Sequence, residues 1–484
     1  MSGPRPGRRG AGGRGAGGRG AGGRGRSTRP PRDRDPVRLA ALSVLRAVRV
    51  EDGYTNLVLP AVLAQHELSG RDAAFVTELA AGTIRRQGTY DAILAACIDR
   101  PLRKVESKVL DALRLGTHQL LGMRVPAHAA ISTTVDLVRA KVSPGAAGFT
   151  NAVLRKVSAR DLTGWLAEVA PEDATDHLGH LAVVHSHPRW VVERLEQALD
   201  GVGAAEEVGD LLAADNRAPR VTLVARPGLA ERDELPGEPT PYSPFGTVLG
   251  TGGDPGAVPA VVQGRAGVQD EGSQLVAVAL AQAPVDGRDE RWVDLCAGPG
   301  GKAALLAALA AERGAHLVGA ELHEHRAKLV ARAARASKGA VGLAGVVQTD
   351  STQAPFADDS IDRVLLDAPC TGLGALRRRP EARWRRTVAD LEDLVALQRA
   401  LLAEAVRVVR PGGALLYATC SPVLEETAQV VSAALADTPG VRLDDVRPVL
   451  GEVPDADGPL PGTVQLWPHR HGTDAMFLAL LRKD

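Results

Sequence analysis

Two cysteines close apolar, strand-like segments: Cys370 in LLDAPCTGLG and Cys420 in LLYATCSPVLEE, each with a proline beside it or one residue away. Both lie downstream of a glycine-rich turn, DLCAGPGGKA, running from Asp294 to Ala303. A thiol ionises in part near neutral pH, and sulfur is intrinsically nucleophilic. A nucleotide-type donor site followed by two such thiols asks for a reaction with a sulfur nucleophile and a bound small-molecule donor. Methylation of a pyrimidine ring carbon is such a reaction.

In the turn, Gly298, Gly300 and Gly301 follow a strand and open a helix, so backbone amides can approach a ligand without a Cβ in the way. Ala303 stands where a Walker loop needs Ser or Thr after Lys302, which excludes a phosphate-cradling P-loop. Gly298, Gly300 and Ala303 meet only the relaxed dinucleotide pattern, so a dinucleotide site stays open as a rival. Acids close the next strands: Glu321 after HLVGA, Asp350 after GVVQT and Asp367 after RVLL. An acid at the second strand end can accept both ribose hydroxyls, Asp350 is placed to reach an adenine edge, and Asp367 lies where donor and acceptor meet. One such acid alone is more often a helix cap. Three at successive strand ends favour a nucleoside cofactor, and S-adenosylmethionine is the natural candidate because it has no phosphate to cradle. The candidate contact set is Cys296, Ala297, Gly298, Pro299, Gly300, Gly301, Lys302, Glu321, Asp350 and Asp367, with Cys296 also read as structural. Soon after Cys370 comes LRRRPEARWRR, with Arg377, Arg378, Arg379, Arg383, Arg385 and Arg386 around Trp384. Arginines suit phosphates and an indole can stack on a base, so this run is expected to cradle RNA.

The elements that must position these groups are legible as periodicity. From Trp292 onward, short apolar strands (292–296, 316–320, 345–347, 363–367, 414–419, 476–481) alternate with helices (300–313, 323–337, 388–410, 424–435), which predicts a doubly wound, Rossmann-like α/β sheet with its ligands at the carboxyl strand ends. From Val37 to about Ala159 apolar residues recur at helical spacing, as in Val37, Ala40, Ala41, Val44, Leu45 and Val48, predicting an all-α bundle. Between them a helix entered through Pro188, a strand at 219–225 and a Gly/Pro-rich run suggest a small α+β connector. The expected division is a tail at 1–34, a helical domain at 35–165, a connector at 166–264 and a catalytic domain at 265–484.

Ten arginines and one acid precede Asp35, so that segment carries +9 and the remainder −9. The RGAGG repeats there are expected to be disordered, serving as a loose RNA contact or a solubilising tail. Four widely spaced cysteines make neither a disulfide framework nor a zinc motif, and Cys97 among alanines reads as buried and inert. His177, His180, His185 and His187 match no ligand spacing, so no metal is expected. The chain has no apolar signal segment and no long uncharged apolar stretch, which predicts a cytoplasmic protein with no membrane partner.

Taken together, DLCAGPGGKA, LLDAPCTGLG and LLYATCSPVLEE resemble the motif set of the RNA cytosine-C5 methyltransferases, the NOL/NOP/Sun group. VQDEGSQLVA (268–277) is similar to that group's motif ahead of the cofactor loop, and the helical first domain, with FTNAVLRKV, resembles a NusB-like RNA-binding domain. The resemblance implies methyl transfer from S-adenosylmethionine to C5 of a cytosine, with 16S rRNA, unassembled or partly assembled, as the expected partner of a monomer. A tRNA or another rRNA site is the alternative within the enzyme class, and a non-catalytic assembly factor the alternative outside it. The residue pattern alone leaves open which thiol attacks. The resemblance assigns the attack on C6 to Cys420, product release to Cys370, and contact with cytosine N3 and its amine to Asp367, with Lys302 supplying charge nearby. The chain departs from the family pattern at Gly298, where alanine is usual, at Ala303, where Thr or Ser is usual, at Glu321, where aspartate is usual, and in DAMFLALL of the last strand.

Overall fold

The computed structural model describes residues 35–250, 253–337 and 342–484; the arginine-rich tail, expected to be disordered, lies outside the described residues. The first helix, α1 (Pro36–Val50), starts where the sequence signals it, with Asp35 accepting from the Arg38 amide and Pro36 in the first turn. Its Ala40, Ala41, Val44, Leu45 and Val48 are buried, the face that the apolar spacing marks. There follow α2 (Thr55–Gln65), α3 (Gly70–Arg85), α4 (Gln87–Cys97), α5 (Ser107–Leu121), α6 (Ala127–Lys141), α7 (Ala147–Val157) and α8 (Leu162–Val169). Two apolar clusters fill this bundle, one on α1 and α3, the other around Tyr90, Leu113, Leu154 and Trp165. Cys97 belongs to the second, and burial raises its thiol pKa.

Helices α9 (His177–His185), α10 (Arg189–Asp200) and α11 (Val208–Asp215) pack on Leu373, Leu376, Val423 and Trp467 of the last domain. A small antiparallel sheet has the order β2-β3-β1-β4, from β1 (Thr222–Ala225), β2 (Glu238–Pro239), β3 (Gly246–Val248) and β4 (Ala266–Val268). The expected boundary at 264/265 cuts this sheet, because β4 pairs with β1. We place the end of the connector after Val268.

After α12 (Pro259–Gln263) and α13 (Glu271–Gln282) comes the large sheet. It is built from β5 (Arg291–Asp294), β6 (His316–Glu321), β7 (Gly342–Gln348), β8 (Ile361–Asp367), β9 (Val409–Thr419), β10 (Val441–Asp444), β11 (Val464–Gln465) and β12 (Phe477–Lys483). The order is β10-β12-β9-β8-β5-β6-β7, with β11 beside β12. Strands β5 to β9 are parallel, and β12 runs antiparallel to β9. One face carries α13, α14 (Gly301–Glu312) and α15 (Glu324–Ala333), the other α17 (Val388–Val408) and α18 (Ala428–Asp437), and each face has its own apolar core. The strand order reverses between β5 and β8, so the glycine turn, the Cys370 loop and the neighbouring Cys420 loop all leave the sheet at its switch point. Among the described residues no helix is long and apolar enough to cross a membrane, and no group of three or more His, Cys, Asp or Glu is placed to hold a metal ion.

Candidate active site

The glycine turn is pinned on three sides. The Ala297 amide donates to Ala320 O, the Ser351 hydroxyl to Leu295 O at 2.6 Å, and the Gly298 amide to Glu321 Oε2 at 3.1 Å. Gly300 has φ +112°, and a Cβ there would meet Val330 Cα at 2.8 Å, so only glycine lets α14 start this close to α15. Cys296 directs its side chain into the α17-side core, where burial and then Asp294 hold its thiol protonated; only its backbone belongs to the turn. Asp350 caps the short turn after β7, accepting from the Thr352 amide and hydroxyl.

Two buried polar groups at this turn have no partner: Asp294 Oδ2 and both amide atoms of Gln269, whose Cδ lies 3.9 Å from where a Cβ on Gly301 would stand. Burial, and then the charge of Asp367, push the Asp294 carboxyl up to about 7. Orphaned buried acceptors and donors cost a few kcal/mol each unless something pairs with them. An aminoacyl group with an ammonium and a carboxylate matches both needs, so these residues fit S-adenosylmethionine. Gln269 gave no signal of its own in the sequence, although it lies in VQDEGSQLVA.

Two departures from the family pattern compensate each other. A methyl at position 298 would come within 2.2 Å of Glu321 Oε2, so the longer acid occupies the space that alanine would take. Gly298→Ala is therefore expected to weaken cofactor binding by about tenfold, the loss of one charge-assisted hydrogen bond. Adding Glu321→Asp should restore most of it. Calorimetry on the two single variants and the double variant checks this.

The thiols converge. Cys370 Sγ lies 3.4 Å from Cys420 Sγ, both partly buried, and Lys302 Nζ donates to Asp367 Oδ2 at 2.8 Å beside them. The hydrogen bond between the two sulfurs is the largest influence on both: it lowers the Cys420 pKa and raises that of Cys370 well above the ordinary thiol value. The difference between the two surroundings has the same sense. Burial and Asp367 oppose ionisation of both thiols, but Lys302 and Arg379 stabilise a thiolate at Cys420, whereas Glu426 adds to keeping the proton on Cys370. Lys302 stays charged because Asp367 and Cys420 outweigh its burial.

The arginine run does not form an open RNA cradle. Arg383 is fully buried and donates to Arg85 O, Ser186 O, Asp215 O and Asn216 Oδ1. Trp384 donates to Ile84 O and packs on Gly88. Arg385 donates to Val48, Asp52 and Gly53 carbonyls at the C-terminal end of α1, while Glu381 accepts from the Thr55 amide and hydroxyl at the start of α2. These two residues, on and beside α16 (Ala382–Arg385), thus meet the helix ends whose partial charges they complement. Arg377 and Arg378 pair with Asp270 and Asp474, and Arg386 donates to Thr371 O. Carbonyls at helix ends accept from guanidinium as phosphates do, which is why the pattern misled. Arg379, half-buried over the Tyr54 ring at 4.9 Å, is the member of the run whose charge bears on Cys420.

A parallel sheet with a glycine turn and paired thiols at its switch point, joined to a helical bundle, defines an S-adenosylmethionine-dependent methyltransferase of the RNA-modifying class. The comparisons agree. The 16S rRNA methyltransferase RsmB/F family model matches residues 279–482, and the NusB family model matches residues 35–159. A Mycobacterium tuberculosis protein named as a methyltransferase is 50% identical over 463 residues, covering 94% of this chain and 99% of the relative. The ribosomal RNA small subunit methyltransferase B of Pseudomonas syringae is 33% identical, covering 92% of this chain and 96% of its own. In fold, the solved chain named PH0851 superposes with a TM-score of 0.74 at 24% identity over 93% of this chain and 99% of its own. The chain belongs to the RsmB/F family of rRNA methyltransferases.

Proposed function

We propose that the protein methylates C5 of one cytosine in 16S rRNA through a covalent adduct at Cys420. The observation that carries this reading is the 3.4 Å approach of the Cys370 and Cys420 sulfurs beside the Lys302–Asp367 pair. C5 of cytosine is a weak nucleophile until C6 is attacked. The Cys420 thiolate forms the S–C6 bond, and the C5=C6 π electrons move toward C5 and the N3 side of the ring. Asp367 accepts from N3–H and the exocyclic amine, favouring the protonated ring that takes the attack. Bound S-adenosylmethionine supplies the methyl group that C5 takes. A base then removes the C5 proton, the double bond re-forms and Cys420 leaves as thiolate, with the Cys370 thiol placed to donate a hydrogen bond to it. Glu321 is assigned to the ribose and Asp350 to the adenine edge, at strand ends on the cofactor side. Arg379 is assigned to a phosphate of the target strand.

Lys302→Met removes one of the cations that, after the Cys370 hydrogen bond, lower the Cys420 pKa, so that pKa should rise. Cys420 alkylation, followed by mass spectrometry against pH, should move to higher pH. The reading itself is tested with labelled S-adenosylmethionine on protein-free 16S rRNA, partly assembled small subunits and tRNA. Transfer to a single 16S cytosine is expected. Transfer to tRNA alone would move the substrate, and transfer to no RNA would leave a binding factor.

A further inference from the structure

We propose that Glu426 is a positioning residue for this reaction, its buried carboxylate tying the Cys370 loop to the Cys420 loop so that the two sulfurs stay in register. Glu426 is fully buried in the short turn Leu424–Glu426 and touches neither sulfur. It acts through the residues beside them. The Thr371 amide donates to Oε1 at 2.7 Å and the Thr371 hydroxyl to Oε2 at 2.5 Å. Across the gap, Thr371 Oγ1 lies 3.2 Å from Ser421 Oγ, so the carboxylate reaches Ser421 through the Thr371 hydroxyl, which donates to Oε2 and accepts from Ser421. Thr371 follows Cys370 and Ser421 follows Cys420, so one carboxylate holds the residue after Cys370 directly and, through the Thr371 hydroxyl, the residue after Cys420. Gln398 completes the tie from α17, donating to Oε1 at 3.0 Å and to Pro369 O at 2.8 Å. The turn is itself anchored by the Tyr417 hydroxyl on Glu426 O.

Each of these contacts comes from a group able to donate, the environment that a buried carboxylate needs and a buried amide would not satisfy. Burial raises the Glu426 pKa and the donors oppose it. Its charge also bears on the thiols. Facing the pair are Lys302 from α14, Asp367 from the end of β8, Arg379, and Glu426, and Glu426 with Asp367 favours the protonated form of Cys370. The tie therefore fixes the distance between the sulfurs, and the Glu426 charge adds to burial in keeping the proton on Cys370.

The inference rests on the assignment of Cys420 as nucleophile, and its test separates the two. Full-length wild type and Glu426→Gln are alkylated with iodoacetamide without RNA, and the Cys420-to-Cys370 labelling ratio is read by mass spectrometry. In Glu426→Gln the ratio is expected to fall by about fivefold, because Cys370 loses its proton more readily. In the transfer assay kcat should fall by about 10–100-fold, the effect of ångström-scale misplacement, with KM for S-adenosylmethionine unchanged. An unchanged ratio with unchanged kcat overturns the proposal. If Glu426→Gln fails to fold, Thr371→Val, which removes the hydroxyl that bonds both the carboxylate and Ser421, must lower the ratio in the same direction, and an unchanged ratio there overturns it equally. A wild type that methylates no cytosine, yet whose ratio depends on Glu426, would sink the cytosine chemistry and uphold the tie.

Discussion

Cys420→Ala is expected to lose methyl transfer by at least about 10⁴-fold, the scale on which removal of an enzyme nucleophile acts. The loss should fall on kcat, because the hydrogen bonds that pin the cofactor turn do not involve the sulfur. Cys370→Ala should fail differently. Without its neighbour's proton the expelled Cys420 thiolate is a poorer leaving group, so the adduct should accumulate as a protein-RNA species that survives denaturation. The same substitution deletes the sulfur that lowers the Cys420 pKa, so the remaining thiol should alkylate only at higher pH. Denaturing gels with labelled RNA separate the two outcomes. An adduct in Cys420→Ala and none in Cys370→Ala would exchange the roles.

The second large effect lies at the arginine run. Arg383→Ala should destabilise the protein by about 3–5 kcal/mol, because it strands buried partners of a fully desolvated cation. Four acceptors lose their donor, and the Asp215 carboxyl, already pushed up to about 7 by burial, loses the charge that opposes that rise. The first thermal transition should drop, and proteolysis should open the segment between the helical bundle and the sheet domain. Cofactor affinity, set on the far side of the switch point, should be kept while RNA methylation falls. An RNA cradle predicts the reverse: an unchanged melting temperature and a loss confined to RNA affinity. By clamping α1 and α2 to the loop after Cys370, the run holds the NusB-like bundle beside the paired thiols.

What the sequence revealed and what it hid follow from one physical distinction. Amphipathic helices such as α1 announce themselves because one face is wet, and the strand-turn-helix at Asp294 does so because a turn needs glycine at fixed places. Helix α13 gave no helical period, since Glu271, Gln274 and nearly all of its apolar residues are buried on every side. The thiols and the turn were legible as chemistry. Their supports were not: Glu426 is an ordinary acid in a charged pair, and Gln269 an amide in a motif known only by likeness. Arginines are ambiguous for the same reason, because a guanidinium pairs equally well with a phosphate or with the last carbonyls of a helix. Only the fold decides which acceptor is near. The exchange at 298 and 321 was visible as two unrelated oddities and becomes one substitution once the atoms are in place.

The central claim is that Cys420 bonds to C6 of the cytosine that receives the methyl group. Its most direct test is mass spectrometry of the nuclease- and protease-digested adduct from Cys370→Ala incubated with 16S rRNA and S-adenosylmethionine. The account predicts one cross-linked peptide, containing Cys420 and carrying a methylated cytidine. A cross-link at any other residue, or methylated RNA with no adduct at all, would contradict it.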